Sequence, residues 1–324
     1  MLRIHRLAGR FVVLLALLGL GLAHPALALD KVTVGRAVDT SFIFNLLEVG
    51  ISADMWKQEG IDAQIVSFNG DARMQQGFAA GEVDFGLGSG PSLAFKTKGA
   101  AATGIADLAD QPDNMAIIVA PGGNIKSIAD LKGKNVGVTT AGSLTDWLVR
   151  ELSRQQGWGP DGIHPIAMGA MRARLAALKT GEIAGTVNTT EDGYGLEEHG
   201  QGKVLLTFGG IVPHFHTHVI FVRNELIEKN PDLIRRFLRG WFKTVAYAKS
   251  HRDETVKVIS KSMELSQAVL AHTYDKEMEV LSDDGVFKKE ALDVLRRSFV
   301  ELGILDKEPP ADALYDGRFV PVKF

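Results

Sequence analysis

The chain of 324 residues contains no cysteine. This absence excludes a disulfide framework, catalysis by a thiol and metal sites with cysteine ligands. It also excludes attachment to a membrane through a lipidated cysteine. A hydrophobic core must therefore hold the fold together unaided, and a chain of this length can bury enough apolar surface to do so.

The sequence also lacks an excess of positive charge and, beyond its first residues, a long hydrophobic run. Lysine and arginine together number 36, against 39 aspartates and glutamates. This balance argues against a nucleic-acid surface. With 45% hydrophobic and 23% charged residues, the composition is that of an ordinary globular protein.

The first 28 residues have the pattern of a secretory signal peptide. Three arginines precede an apolar run from Phe11 to Leu22, and Ala26 and Ala28 fit a small-residue cleavage site. The run is short for a bilayer span. We therefore expect export to a periplasm and a mature chain that begins near Leu29. Removal of the three arginines leaves 33 basic against 39 acidic side chains, a net charge of −6.

From Lys31 onward, short apolar and β-branched runs alternate with segments of helix length. This alternation predicts an α/β fold with mostly parallel sheets and helices on both faces. Two landmarks recur about 100 residues apart: Val34-Gly35 before Ser41 matches Val136-Gly137 before Ser143, and Gly81-Glu82 matches Gly181-Glu182. The repetition indicates two lobes with the same order of strands and helices.

Polar, turn-rich segments mark where the chain passes between the predicted lobes. We expect residues 29–114 to form the first part of lobe 1 and residues 115–217 to form lobe 2. Residues 218–324 then return to lobe 1 as its second part, with a helical C-terminal region. The Asn230-Pro231 pair predicts the start of a long helix in that region.

Three segments together resemble periplasmic solute-binding proteins of ABC importers, in the nitrate, sulfonate and taurine group. They are Met55–Asp62 (MWKQEGID), Gly81–Gly86 (GEVDFG) and Ile128–Val138 (IADLKGKNVGV). The resemblance covers nearly the whole chain after residue 28, and Asn230-Pro231-Asp232 is similar to the C-terminal part of the same family. It implies a two-lobed clamp of the periplasmic-binding-protein type II fold, which closes on a small ligand and docks on a membrane permease.

Loops that follow the predicted strands supply the candidate ligand contacts, because ligands sit at the carboxyl ends of strands in open α/β folds. Ser143 is a natural N-cap, so the free N–H groups of its helix could hold an anion, and Ser41 is its counterpart in lobe 1. Hydroxyls and backbone N–H groups suit sulfonate, carboxylate or nitrate oxygens, and Phe42 could cover an organic portion. The candidates are Thr40, Ser41, Phe42, Asn69, Gly70, Ser89, Gly90, Thr140, Ser143, Gly169, Asn188 and His216.

Further polar residues are weaker candidates. Arg73 and Arg172 stand near predicted helix starts and could contact an anion, and Thr189 and Thr190 are comparable to Asn188. The series His214, His216 and His218 would spread the outer rings roughly 13 Å apart along a strand, too far for one metal ion. We therefore expect no metal, and one imidazole, from His216 or His214, turned into the cleft.

No enzyme motif is present. The nucleophile elbow Gly-x-Ser-x-Gly, the dinucleotide fingerprint and the P-loop are all missing. Thiamine-pyrimidine synthases share a related fold but carry a cysteine-containing motif, which this chain cannot match. We expect a monomer without cofactors that binds a small organic anion, a sulfonate before a carboxylate or nitrate. A neutral pyrimidine-type ligand, a periplasmic sensor subunit and, last, an exported enzyme remain the alternatives.

Overall fold

The computed structural model describes residues 28–212 and 214–324. The proposed signal peptide lies, except for its last residue, outside these described residues. Within them, the strands are β1 (Asp30–Arg36), β2 (Ile61–Ser67), β3 (Phe85–Ser89), β4 (Ala102–Ala109), β5 (Met115–Val119), β6 (Asn135–Val138), β7 (His164–Ala167), β8 (Gly185–Thr189), β9 (Lys203–Thr207) and β10 (His218–Arg223).

Helices connect these strands in the first two thirds of the chain and then dominate. They are α1 (Leu46–Ser52), α2 (Met55–Gln58), α3 (Asp71–Ala80), α4 (Ala94–Thr97), α5 (Leu144–Gln155), α6 (Met171–Thr180), α7 (Thr190–Glu198), α8 (Asn224–Lys229), α9 (Pro231–Ser250), α10 (Arg252–Met263), α11 (Gln267–Val280) and α12 (Lys289–Glu301). None of the described helices is long and apolar enough to span a bilayer. Residues 309–324 form short 3₁₀ turns rather than a further helix.

The strands form two five-stranded sheets with equivalent topology. The first has the order β2-β1-β3-β10-β4, and the second has the order β7-β6-β8-β5-β9. In each sheet the fourth strand runs antiparallel to both neighbours, and the other two ladders are parallel. Each sheet is therefore mixed, with four strands that point the same way, as predicted, and one that is reversed. The antiparallel strand is in each case the one that arrives from the other sheet, so it enters with reversed direction.

The repeated glycine landmarks mark the same junction in both sheets. Gly81 ends α3 and Gly181 ends α6, with φ angles of 76° and 79°. Glu82 N–H donates to the carbonyl of Gly77, and Glu182 N–H donates to the carbonyl of Ala177, each at 3.0 Å. The left-handed conformation that glycine adopts without strain thus turns the chain from helix into strand at both sites.

Buried aromatic side chains anchor the C-terminal helices to the first sheet. Phe237 of α9 stacks on Phe85 of β3 with ring centroids 3.9 Å apart, and on Trp56 at 5.1 Å. The side chain of Asn230 accepts a hydrogen bond from Leu233 N–H at 3.2 Å, as its position before Pro231 predicted. Helix α9 therefore packs against β3 in the sheet formed by β1 to β4, which β10 completes.

Gly90 occupies the junction between β3 and the segment that enters β10. A Cβ atom at Gly90 would lie 1.7 Å from the carbonyl oxygen of His216. We expect Gly90→Ala to lower the unfolding free energy by ~3 kcal/mol, because the backbone itself must move to relieve the clash. Urea unfolding followed by circular dichroism measures this loss.

The matched control is Gly210→Ala, since a Cβ there meets nothing within 4 Å. We expect its unfolding midpoint to stay within error of the wild type. Equal stability of the two variants would contradict the close backbone approach at Gly90.

Candidate ligand site between the lobes

The carboxyl ends of both sheets enclose a cavity of about 40 Å³. A void of this size holds a water molecule or two, so the two lobes stand closed on one another. An organic ligand enters only if the lobes separate, as in hinged closure. The cavity is lined by Ala37, Val38, Ser41, Phe44, Asp71, Ser89, Met115, Thr139, Leu144, Thr145, Asn188, Thr189 and His218.

Lobe 2 contributes the N-terminus of α5. Ser143 caps this helix, and its Oγ accepts from Asp146 N–H at 3.4 Å. The hydroxyls of Thr139, Ser143 and Thr145 form a triangle with 3.0 Å between each pair of oxygens. These hydrogen bonds fix the positions of the three hydroxyls, so they are already oriented as donors and acceptors along this wall of the cavity.

The corresponding turn in lobe 1 is different. Ser41 begins a turn rather than an α-helix, and α1 starts only at Leu46. Phe42 N–H donates to Glu191 Oε1 of the other lobe at 2.9 Å. The predicted pair of opposed helix N-termini is thus reduced to one, because a protein carboxylate already occupies the anion position at Phe42.

Hydrogen bonds across the cleft hold the closed arrangement. Leu144 N–H donates to Ser89 Oγ at 3.2 Å, and Ser89 Oγ donates to Asp71 Oδ2 at 3.0 Å. Ala72 N–H reaches Thr140 Oγ1 at 3.4 Å, and Thr189 Oγ1 donates to the carbonyl of Thr40 at 3.3 Å. Polar groups of the loops therefore join the lobes on both sides of the cavity.

The predicted site residues fall into three sets. Ser41, Ser89 and Asn188 line the cavity. A second set lies where the lobes touch or supports the wall: Thr40, Phe42, Asn69, Gly70, Gly90, Thr140, Ser143 and Gly169. The Phe42 ring is fully buried against Tyr274, with centroids 6.3 Å apart, so it does not cover the cavity.

His216 forms the third set alone, and the expectation that it turns into the cleft is wrong for this structure. Its Nδ1 lies 2.7 Å from Asp107 Oδ1 and its Nε2 lies 3.2 Å from the carbonyl of Lys288. Strand β10 begins only at His218, so the three histidines do not share one strand face. His214 is exposed, with a φ of 53°. His218 is the histidine that lines the cavity.

Neither candidate arginine reaches the cavity. Arg73 and Arg172 are exposed, whereas Arg174, which the sequence did not single out, is buried. Its guanidinium donates to the carbonyls of Gly169 and Val187, at 3.2 and 2.7 Å. Burial lowers the pKa of Arg174 to about 10, so it stays charged at neutral pH. Among the described residues, no group of side chains fits a metal ion.

The sequence did not single out Asp71, Thr139 and His218 as cavity residues. Asp71 is the first residue of α3, and burial raises the pKa of its carboxyl. The position of Asp71 could have indicated a cavity residue, because it follows the candidate Gly70 in the loop after a predicted strand. Nothing local distinguished His218 from His214 and His216, because the start of β10 decides which ring faces the cavity.

Two acidic side chains, neither of which is paired with a cation among the described residues, meet at the junction of α7 and α11. Glu191 and Glu277 are both fully buried. Burial raises the pKa of Glu277 well above 4.5, and the charge of Glu191 raises it further. Glu277 Oε2 accepts from Asn114 Nδ2 at 3.0 Å, while its Oε1 has no partner among the described residues. A proton on one carboxyl lets it donate to the other and removes the repulsion.

This pair makes stability depend on pH. A carboxyl whose pKa is raised on folding stabilises the protein below its ordinary value of 4.5, and this contribution is lost as pH rises through the folded pKa. We expect the contribution of this pair to the unfolding free energy to fall between measurements at about pH 5 and at about pH 8. In Glu277→Gln the fall should be smaller, because the amide is uncharged and can donate to Glu191.

Glu279→Gln is the control, since Glu279 lies on the same helix with its side chain 68% exposed. Denaturant titrations at both pH values give the two slopes. If Glu277→Gln and Glu279→Gln show the same pH dependence, the buried pair does not carry the effect.

Ser89 provides a test of lobe closure. In Ser89→Ala the buried Leu144 N–H loses its acceptor, and an unsatisfied buried N–H costs about 1–3 kcal/mol. Because opening of the lobes exposes this N–H to water, the substitution destabilises the closed state relative to the open one.

We expect a larger radius of gyration for Ser89→Ala by small-angle scattering. Ser92→Ala, which removes the neighbouring hydroxyl 3.3 Å away from Ser89 Oγ, should leave the radius unchanged. Identical curves for both variants would refute the role of Ser89.

The paired sheets, the two connections between them and the cleft at their carboxyl ends define the two-lobed periplasmic-binding-protein fold. The alkanesulfonate-binding protein SsuA from Xanthomonas axonopodis pv. citri, solved with MOPS bound, superimposes with a TM-score of 0.72. It is 15% identical, and the match covers 87% of this chain and 95% of that one. This likeness confirms the fold predicted from the sequence.

The chain belongs to the NMT1/THI5 like family, whose model matches residues 47–255. A putative aliphatic sulfonates-binding protein of Bacillus subtilis is 25% identical over 297 residues, covering 90% of this chain and 87% of the relative. The 4-amino-5-hydroxymethyl-2-methylpyrimidine phosphate synthase THI5 of Saccharomyces cerevisiae is 26% identical over 207 residues, 59% of each chain. The resemblance seen in the sequence is therefore confirmed at the level of the family.

Proposed function

We propose that this protein is the substrate-binding component of an ABC importer, which encloses a small organic molecule between its lobes. The observation that carries the proposal is the cavity itself, because side chains from both sheets line it and hydrogen bonds across the cleft close it. Closure excludes water, and hydrogen bonds to a trapped ligand are stronger in the resulting low dielectric.

The proposed importer role also implies where the protein works and which partner it meets. Export to a periplasm, a monomeric state and delivery of the ligand to a membrane permease are part of the proposal. The Bacillus subtilis relative and the Xanthomonas structure are named as sulfonate-binding proteins. These names support a small organic ligand and the importer role. A periplasmic sensor that uses the same clamp is the alternative, and the closed cleft serves either role.

The first ligands to test are organic acids, beginning with sulfonates. The hydroxyls of Ser41, Thr139 and Thr145 around the cavity can donate to sulfonate or carboxylate oxygens. A pyrimidine-type ligand is the second candidate, and the name of the yeast relative supports it. An enzymatic role has less support, because the Bacillus subtilis relative and the Xanthomonas structure are named as binding proteins.

A thermal-shift panel of sulfonates, carboxylates, nitrate and pyrimidines tests the proposal. A ligand at 100 times its dissociation constant should stabilise the protein by roughly 2.7 kcal/mol, because it binds only the folded state. The same compound should reduce the radius of gyration of Ser89→Ala toward that of the wild type. It should also be recovered chemically unchanged after incubation. Turnover would overturn the receptor assignment, and a panel without any shift would count against it.

A further inference from the structure

Helix α11 contacts both lobes. Toward lobe 1, the ring of Tyr274 lies edge-on to Phe42, with centroids 6.3 Å apart, and its hydroxyl donates to the carbonyl of Ala248 in α9. Toward lobe 2, the ring of His272 lies edge-on to that of Tyr194 in α7, with centroids 5.1 Å apart. The helix therefore bridges the lobes, and a change in the angle between them must rearrange one of these two sets of contacts.

The first turn of α7 lies where α11 and the two lobes meet. Glu191 Oε1 accepts the hydrogen bond from Phe42 N–H of lobe 1 at 2.9 Å, and the carboxyl group of Glu277 from α11 lies beside it. Glu191 and Glu277 are both fully buried. Asp192, the next residue of α7, is partly buried and accepts from Asn188 Nδ2 at 2.5 Å. Three carboxyl groups from two helices thus share one joint.

The cations near this joint belong to α6 and α11. The charge of Arg174 on α6 acts on Asp192 and lowers the pKa of that carboxyl, but burial and the charge of Glu191 raise it to about 8. On α11, the Lys276 side chain next to Glu277 is 62% exposed, and its ammonium lies 3.9 Å from Asp113 Oδ2. Neither cation forms an ion pair with Glu277, so a proton is the positive charge that this joint can take up.

Burial sets the proton affinity of the pair in the closed protein. It raises the pKa of Glu191 more than the hydrogen bond from Phe42 N–H lowers it. Burial also raises the pKa of Glu277, and the charge of Glu191 raises it further. The closed arrangement therefore holds a proton on the pair at a pH at which a hydrated carboxyl has lost it.

Opening of the lobes changes these surroundings. It separates Glu191 from Phe42 N–H and Thr189 Oγ1 from the carbonyl of Thr40, so water reaches the first turn of α7. A hydrated carboxyl returns toward its ordinary pKa, and the open protein then binds fewer protons than the closed one. By linkage, acid favours the closed state and a rise in pH favours the open state.

We infer that the Glu191–Glu277 pair is a proton-dependent switch for closure of the clamp. With a proton on the pair, one carboxyl donates to the other and joins α11 to α7; without it, two buried carboxylates repel each other and the lobes separate. The inference rests on the proposed function and adds its regulation: any ligand that needs the closed cleft is held more tightly in acid than at alkaline pH.

Energy transfer between two dyes tests the switch, because a chain without cysteine can be labelled at two introduced ones. Arg73 and Arg172 are exposed in the first turns of α3 and α6, on opposite lobes. They stand near the point where a Cβ at Gly169 would lie 3.5 Å from Asn69 Cβ. In protein with Arg73→Cys and Arg172→Cys, we expect efficient transfer at about pH 5.5 and weaker transfer at about pH 8.5.

The expected change is large. One proton alters the ratio of closed to open protein up to about 10-fold per pH unit between the two pKa values, so this ratio should fall about 10-fold or more over the range. The measurement is repeated with Ser89→Ala added, because its closed state lacks the acceptor for Leu144 N–H and the equilibrium lies nearer to the open state. Transfer that is independent of pH in both proteins overturns the inference.

Variants of α11 separate the switch from general effects of pH. Glu277→Gln carries an amide that donates to Glu191 at any pH, so it should keep the acid value of transfer throughout. Glu279→Gln, with its side chain 68% exposed in the wild type, should follow the wild type. Circular dichroism at both pH values confirms that each variant is folded, and Glu191→Gln serves if Glu277→Gln is not. The same pH dependence in Glu277→Gln as in the wild type also overturns the inference.

The compounds of the thermal-shift panel distinguish the switch from the function on which it rests. If a compound raises both the melting temperature and the transfer while pH changes neither, the switch fails and the proposed function stands. If pH changes the transfer as expected and no compound raises the melting temperature, the switch stands and the proposed function fails. If neither pH nor any compound has an effect, both fail.

Discussion

The hydrogen bond from Leu144 N–H to Ser89 Oγ is the contact on which the closed structure depends. It satisfies the first free N–H of a helix in lobe 2 with a hydroxyl from lobe 1. Because Ser89 Oγ passes its own hydrogen to Asp71, the contact connects the start of α5 with the start of α3. One side chain thus aligns two helix ends from different lobes, and the cavity lies beside this chain of hydrogen bonds.

Charges buried near the lobe junctions add a second constraint. Glu191 and Glu277 face each other and are not paired with a cation among the described residues, and burial together with the charge of Glu191 raises the pKa of Asp192 to about 8. His216, by contrast, lies on the segment that returns to the first sheet and forms a buried pair with Asp107 of β4. Removing one partner of either pair leaves the other as a buried charge without its hydrogen-bond partner, which is costly in a low-dielectric interior. The His216–Asp107 contact therefore holds the returning segment against β4, while the acidic pair makes the closed interface sensitive to protonation.

The cavity carries polar groups that can recognise a ligand. Its polar groups are hydroxyls, an amide, a neutral imidazole and one carboxylate, each held in place by a second protein group. Such groups can orient a ligand, while closure of the lobes excludes water. This is why binding-protein and enzyme names can occur within one fold, since the side chains at the cleft, rather than the sheets, decide between them.

The sequence by itself determined the two-lobed α/β fold, the caps at Ser143 and Asn230 and the equivalent glycine turns at Gly81 and Gly181. These features depend on local periodicity and on backbone preferences, which neighbouring residues set. It also placed Ser41, Ser89 and Asn188 at the ends of strands. Only the tertiary structure decided that each sheet is mixed, that a glutamate occupies the Phe42 turn and that His218 rather than His216 faces the cavity. Those outcomes depend on how the two sheets exchange a strand and on where β10 begins. Such contacts join residues far apart in the sequence, for example Met115 with Thr189 and Phe42 with Glu191, and no local pattern encodes them.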